Sequence, residues 1–263
     1  MNAVCQSRFS AVGSRWITRA ALLSVNLMAL GCAEDVDSSD IRTAGMHPIY
    51  RTLSTGNGKT LVTGELRVGG DDGTFVVLKA GDRLSATASD AEKPMTAIDD
   101  GLRYATEFPI DAGGTVINVA FTRDDSAGDG NSSGPNSSVV LPEQFTLRLA
   151  NLEEGAPIQR GTPIDIQWDP PAAGDVSWEV DGNCLWSSSG KTRDSGAFKI
   201  PANEIEVTGT DEGETCEVTI TIDRTNEGTV DPIFNKEGGS IRATQRRTIR
   251  FTSTPAPDEA PPQ

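Results

Sequence analysis

The 263-residue sequence predicts an all-β fold arranged as two tandem β-sandwiches, and three observations carry that expectation. Large side chains recur with a period of two, clusters of Gly, Asp and Pro punctuate them, and a weak internal echo repeats 101 residues along the chain.

The alternation runs through Leu102, Tyr104, Thr106 and Phe108, then Ile117, Val119 and Phe121. It returns in Phe145, Leu147 and Leu149, in Ile164, Ile166 and Trp168, in Val176, Trp178 and Val180, and in Cys216, Val218, Ile220 and Ile222. A strand with one face on a core sends every second side chain inward, so each stretch reads as a half-buried strand. Turn chemistry separates them: GGDDG at 69–73, AGD at 80–82, DDG at 99–101, AGG at 112–114, DPPAAGD at 169–175 and DEGE at 211–214. Beyond the N-terminal run, no window of about 12 residues carries a helical stripe.

The echo lies in Ile117, Val119, Phe121 and Arg123 against Val218, Ile220, Ile222 and Arg224, and it fits a duplicated sandwich. Residues 32–47, acidic at first and poor in periodic apolar positions, read as a tether, and 254–263 as a Pro-rich tail. The length between suits one sandwich over 48–152 and a second over 153–253, with the boundary near NLEEGAPIQRG at 151–161. Each half offers about seven strands and resembles an immunoglobulin-like or fibronectin-type-III-like sandwich in architecture. A true immunoglobulin domain places its core Trp between its two cysteines, whereas Trp178 precedes both Cys184 and Cys216.

At the N-terminus, Arg8, Arg15 and Arg19 precede the apolar run Ala20–Gly31, with no acid among them. That run would reach about 18 Å as a helix, too short for roughly 30 Å of hydrocarbon, so residues 1–31 read as a cleaved signal peptide. The junction Ala29-Leu30-Gly31-Cys32 resembles the lipobox of bacterial lipoprotein precursors, with leucine one place later than usual. The resemblance implies lipidation of Cys32, cleavage before it, and a membrane anchor of three acyl chains, where one alone would be marginal. Ala33 rather than aspartate after that cysteine favours the outer membrane, facing either the periplasm or the cell surface.

The leader carries three of the 23 basic residues and none of the 38 acids, so from Cys32 the chain holds 20 against 38, a net charge of −18. Such a charge repels nucleic acid and excludes attachment through basic residues. Cys5 leaves with the leader and lipid consumes Cys32, which leaves Cys184 and Cys216 to form one disulfide in an oxidising compartment. A metal or reactive pair is the weaker reading of these two, since no His follows His47 and no CxxC occurs.

With His47 as the single histidine, a Ser or Cys nucleophile lacks an ordinary imidazole base, and the sequence shows no catalytic motif and no cofactor pattern. Asp124, Asp125 and Asp129, in the run 123–138, invite a calcium reading, but their spacing departs from an EF-hand and a solvated hairpin loop is preferred. Trp168, Trp178 and Trp186 share parity with Ile166, Val180 and Cys184, so all three are expected in the core rather than on a sugar-stacking platform.

In SIRATQRRTIRF, 240–251, a strand would bury Ile241, Ala243, Ile249 and Phe251 and point Arg242, Arg246 and Arg250 outward. The row is expected to pair with acids on a neighbouring strand, or otherwise to contact an envelope protein or polysaccharide. Parity turns Arg247 inward, so a bulge is expected near Gln245. Together these features predict a lipid-anchored envelope protein, non-catalytic, with a binding or structural role. The alternatives are a glycosidase-like hydrolase using paired carboxylates and a carbohydrate-binding module.

Overall fold

The computed structural model describes residues 35–124, 132–150, 156–202, 215–234 and 236–255, all within the unit Ala33–Gln263. No helix among them is long and apolar enough to cross a membrane.

The first half builds β1 (Val36–Asp37), β2 (His47–Ser54), β3 (Thr60–Val68), β4 (Thr74–Val77), β5 (Arg83–Ala88), β6 (Ala91–Pro94), β7 (Thr96–Ile98), β8 (Arg103–Phe108), β9 (Val116–Thr122) and β10 (Gly134–Val140). The second builds β11 (Thr146–Leu149), β12 (Ile158–Gln159), β13 (Ile164–Asp169), β14 (Asp175–Gly182), β15 (Ser188–Arg193), β16 (Ala197–Ile200), β17 (Cys216–Glu227) and β18 (Ser240–Thr254). The fold is all-β, as the period of two predicts. The turn sequences at 69–73, 80–82, 99–101 and 112–114 fall between strands, 169–175 turns the chain from the end of β13 to the start of β14, and 211–214 lies outside the described residues.

The two modules have the same strand order. In the first module β10-β9-β5-β6 form one sheet, with β2-β3-β8 opposite. In the second, β18-β17-β14-β15 repeat the four-strand order and β11-β13-β16 form the facing sheet. Neighbours are antiparallel throughout both sets. A three-strand sheet facing a four-strand one is the immunoglobulin-like arrangement. Two cores fill the sandwiches: one around Tyr50, Leu66, Phe108, Ile117 and Phe121, the other around Ile164, Ile166, Trp168, Val180 and Ile220.

One departure from the sequence reading matters most. β17 and β18 are long enough to leave the second module and enter the first. The far half of β18 pairs with β17 and β12 beside the second core, while Ser240–Gln245 run parallel to β2 in the first module. The intervening segment carries Phe234 into the first core, and Ile241 and Ala243 follow it there. Phe145, placed before the expected boundary, belongs to the second core. The modules therefore share a hairpin, and the sequence-based limits 48–152 and 153–253 do not separate two independent cores.

The tether also differs from expectation. Ser38, Thr43 and Met46 are fully buried, Val36 and Ile41 pack on the first core, and β1 pairs in parallel with β4. Short apolar residues spaced irregularly escape a periodicity search but still bury area. Similarly, the run 123–138 is only partly loop, because Gly134–Val140 is a strand with Ser137 fully buried.

Candidate functional site

The two arginines of the sequence echo each follow an alternating apolar run, Arg123 just past the end of β9 and Arg224 within β17. Each is buried, and each meets a buried aspartate: Arg123 Nε donates to Asp82 at 3.2 Å, and Arg224 Nε to Asp194 at 2.5 Å. Each guanidinium also ties down the segment that leads into its own module. Arg123 donates to the carbonyls of Ser38 and Ile41 and to Thr43 Oγ1; Arg224 donates to the carbonyls of Glu143 and Pro170. Five fixed donors in a planar fork suit this work, since one side chain can satisfy several buried carbonyls at once. Burial alone would raise the Asp194 carboxyl, but hydrogen bonds from Arg224 and Trp168 outweigh it and hold the group below its ordinary value. The spacing of the arginines is visible in the sequence, whereas their burial is not, because the aspartates come from different strand ends in the two modules.

On the outer face of the shared hairpin, the arginine row finds two of its acids. Directly across the strands, Arg242 meets Glu227 at 2.9 Å and Arg246 forms a fork with Asp223 at 2.6 and 2.8 Å. The hydrogen bonds it donates to Asp223 raise the Arg246 guanidinium further against the opposing cost of partial burial. Arg250 instead faces Thr219 across the strands. It lines an open cleft of about 730 Å³ with Asp181, Asn183, Glu217 and Thr252, at the end of the second module far from the first. Asp181 Oδ1 there accepts from the Gly182 amide and from Ser187 Oγ.

The expected bulge near Gln245 is absent. Pairing of β17 with β18 runs in one register from Cys216↔Ser253 to Glu227↔Arg242. Arg247 does turn inward, and it is tolerated because β18 passes there from one core to the other. At that joint Gln245 is fully buried and donates to the Asp111 carbonyl, while Arg247 lies 5.3 Å from the Phe145 ring centre. Gly56, at φ +78°, leaves the space: a Cβ there would stand 2.7 Å from Arg247 Cζ. Burial lowers the Arg247 guanidinium below the ordinary arginine value.

The disulfide joins Cys184 to Cys216 with Cα atoms 5.7 Å apart. Trp168 and Trp178 are core residues, the former donating to Asp194 at 2.7 Å and the latter stacked 5.4 Å from Phe198. Trp186 is a correction: it is 64% exposed. Residues 183–187 leave the strand for a turn, so parity with Cys184 fails to predict its direction. Among the described residues no group of three acidic, His or Cys side chains is placed to hold a metal; Asp124 is exposed, and Asp125 and Asp129 lie outside them, as does Cys32.

Comparison with protein-family profiles and with curated sequences returns no match. Among solved structures, the fibronectin(III)-like modules of Clostridium thermocellum CbhA align over 79% of this chain and 89% of theirs, at 12% identity and a TM-score of 0.25. A two-domain fibronectin type-III segment from chicken tenascin aligns over 79% of this chain and 98% of its own, at 11% identity and 0.22.

Proposed function

We propose that the chain is an exported, lipid-anchored protein of the bacterial cell envelope, with a non-catalytic binding or structural role, and that it resides at the outer membrane. The observation that carries the structural part is the shared hairpin. It locks the two sandwiches into one body, and at their joint Gln245 donates to the Asp111 carbonyl while Arg247 lies over the Phe145 ring. A rigid pair of sandwiches suits spacing or display.

The export part is supported by the junction Ala29-Leu30-Gly31-Cys32 and by the Cys184–Cys216 bond, which persists where thiols are kept oxidised. With a net charge of −18 from Cys32 onward, attachment to an anionic leaflet needs the lipid. The test is membrane fractionation of the native precursor beside Cys32→Ser. Acylated wild type in the membrane and soluble variant support the reading, and an unmodified, soluble wild type sinks it. In-cell crosslinking followed by identification of the captured protein or polysaccharide tests the binding role; a body that captures nothing is a structural spacer.

A further inference from the structure

We propose that the protein stands end-on on its membrane, with one defined end of the first module against the lipid headgroups and the disulfide end of the second held away from them. This stance rests on the proposed lipidation of Cys32. It follows from where the fold begins and from the direction of its strands.

From Cys32 to Val36 there are four residue steps, a reach of about 14 Å even when fully extended. At Val36 the chain is already paired with Val76, and from Ser38 to Thr43 it is gripped by Arg123. The anchor point is thus held within that short reach of one place on the surface. Pairing defines the place. Val36↔Val76 sets Asp35 beside Phe75, which pairs with Arg67, which pairs in turn with His47. The turn at 69–73 and the hairpin tip are neighbours there, since His47 Nε2 meets Asp71 at 2.6 Å and Nδ1 meets the Glu237 carbonyl at 2.5 Å.

Strand direction supplies the rest. β2 starts at this end with His47 and runs away from it, and β18 runs parallel to β2 before continuing into the second module. Its 15 residues cover about 50 Å at the usual rise of a strand. At its far end Ser253 pairs with Cys216, so the disulfide, the exposed Trp186 and the cleft holding Asp181, Glu217 and Arg250 all lie remote from the anchor. The near end exposes Asp71, Asp72 and Glu237 beside Lys236, so charge does not draw it to an anionic surface. Its contact is imposed by the short lead from the lipid.

The test uses the acylated full-length protein in vesicles of phosphatidylethanolamine and phosphatidylglycerol carrying a headgroup acceptor dye. A donor is placed on Asp72→Cys or on Thr162→Cys, both exposed positions, the native pair Cys184 and Cys216 being bonded. Intact mass first establishes acylation of Cys32. Energy transfer should then be several-fold greater from position 72 than from position 162. Inserting ten Gly and Ser residues between Ala33 and Glu34 should reduce that difference while leaving the acyl mass unchanged. An acylated protein with equal transfer from both positions, or with the order reversed, overturns the stance alone. A chain with no acyl mass on Cys32 overturns the anchor and the stance together.

Discussion

The two modules share a strand order and a buried arginine, yet they close their cores by different means. The second has the Cys184–Cys216 bond, and Ile158–Gln159 add a short strand along β18. The first borrows: Phe234, Ile241 and Ala243 come from the second half of the chain, and Ser240–Gln245 extend its sheet beyond β2. A duplicated fold can thus become asymmetric without changing its topology. One long hairpin, paired in both modules, joins the two sandwiches into one body.

The most severe way to break this comparison is to cut it. A fragment ending at residue 152 should fail to fold, with circular dichroism and proteolysis reporting an unfolded chain, whereas a first module with its own complete core would fold alone. Within the full chain, truncating either buried arginine leaves a buried carboxylate without its partner. Arg123→Met and Arg224→Met should each cost about 3–5 kcal/mol in denaturant unfolding, and similar losses at both positions would establish their equivalence. Removing the disulfide with Cys184→Ser and Cys216→Ser should cost about 3–4 kcal/mol, from a loop spanning 32 residues, and should loosen the second module first. Hydrogen exchange resolved along the chain would separate the two modules.

Acid sharpens the same contrast. Because the Asp194 carboxyl is held below its ordinary value, its contribution is present above the unfolded value of about 4 and is lost as pH falls through the lower folded one. The unfolding midpoint should therefore drop below about pH 4. Asp194→Asn should start lower and lose less over that window; an unchanged acid limb would place the titration elsewhere. The smallest effect is expected on the outer face, where Arg246→Gln should cost at most about 1 kcal/mol and Arg242→Gln less, since its pair is more exposed.

Much of this architecture was legible from residue order, and its limits have physical causes. Alternation located β8, β9, β11, β13, β14, β17 and β18, because a strand over one core must alternate. Nothing in that alternation says which core is being faced, so β18 read as a strand of the second sandwich although it serves both. Arg247 read as an irregularity for the same reason: its position is a passage between cores, where an inward cation keeps some access to water. Cross-strand acids for Arg242 and Arg246 were anticipated as a class, but Glu227 and Asp223 follow only from the register. Trp186 escapes the period of two because it sits in a turn, where side chains no longer alternate between faces. The burial of Arg123 and Arg224 had one trace, their common place after an alternating strand, and no trace that could name Asp82 or Asp194.

The parallel pairing of β2 with β18 also bears on mechanics. Tension applied between the N-terminal end of β2 and the C-terminal end of β18 pulls the two strands lengthwise past each other. The six residue pairs from Ser240↔Ile49 to Gln245↔Ser54 are then loaded together in shear. A hairpin peeled from its open end yields one pair at a time, whereas a sheared patch yields only when its bonds fail in concert. The borrowed strand therefore places a clamp loaded in shear along the line that joins the two ends of the molecule.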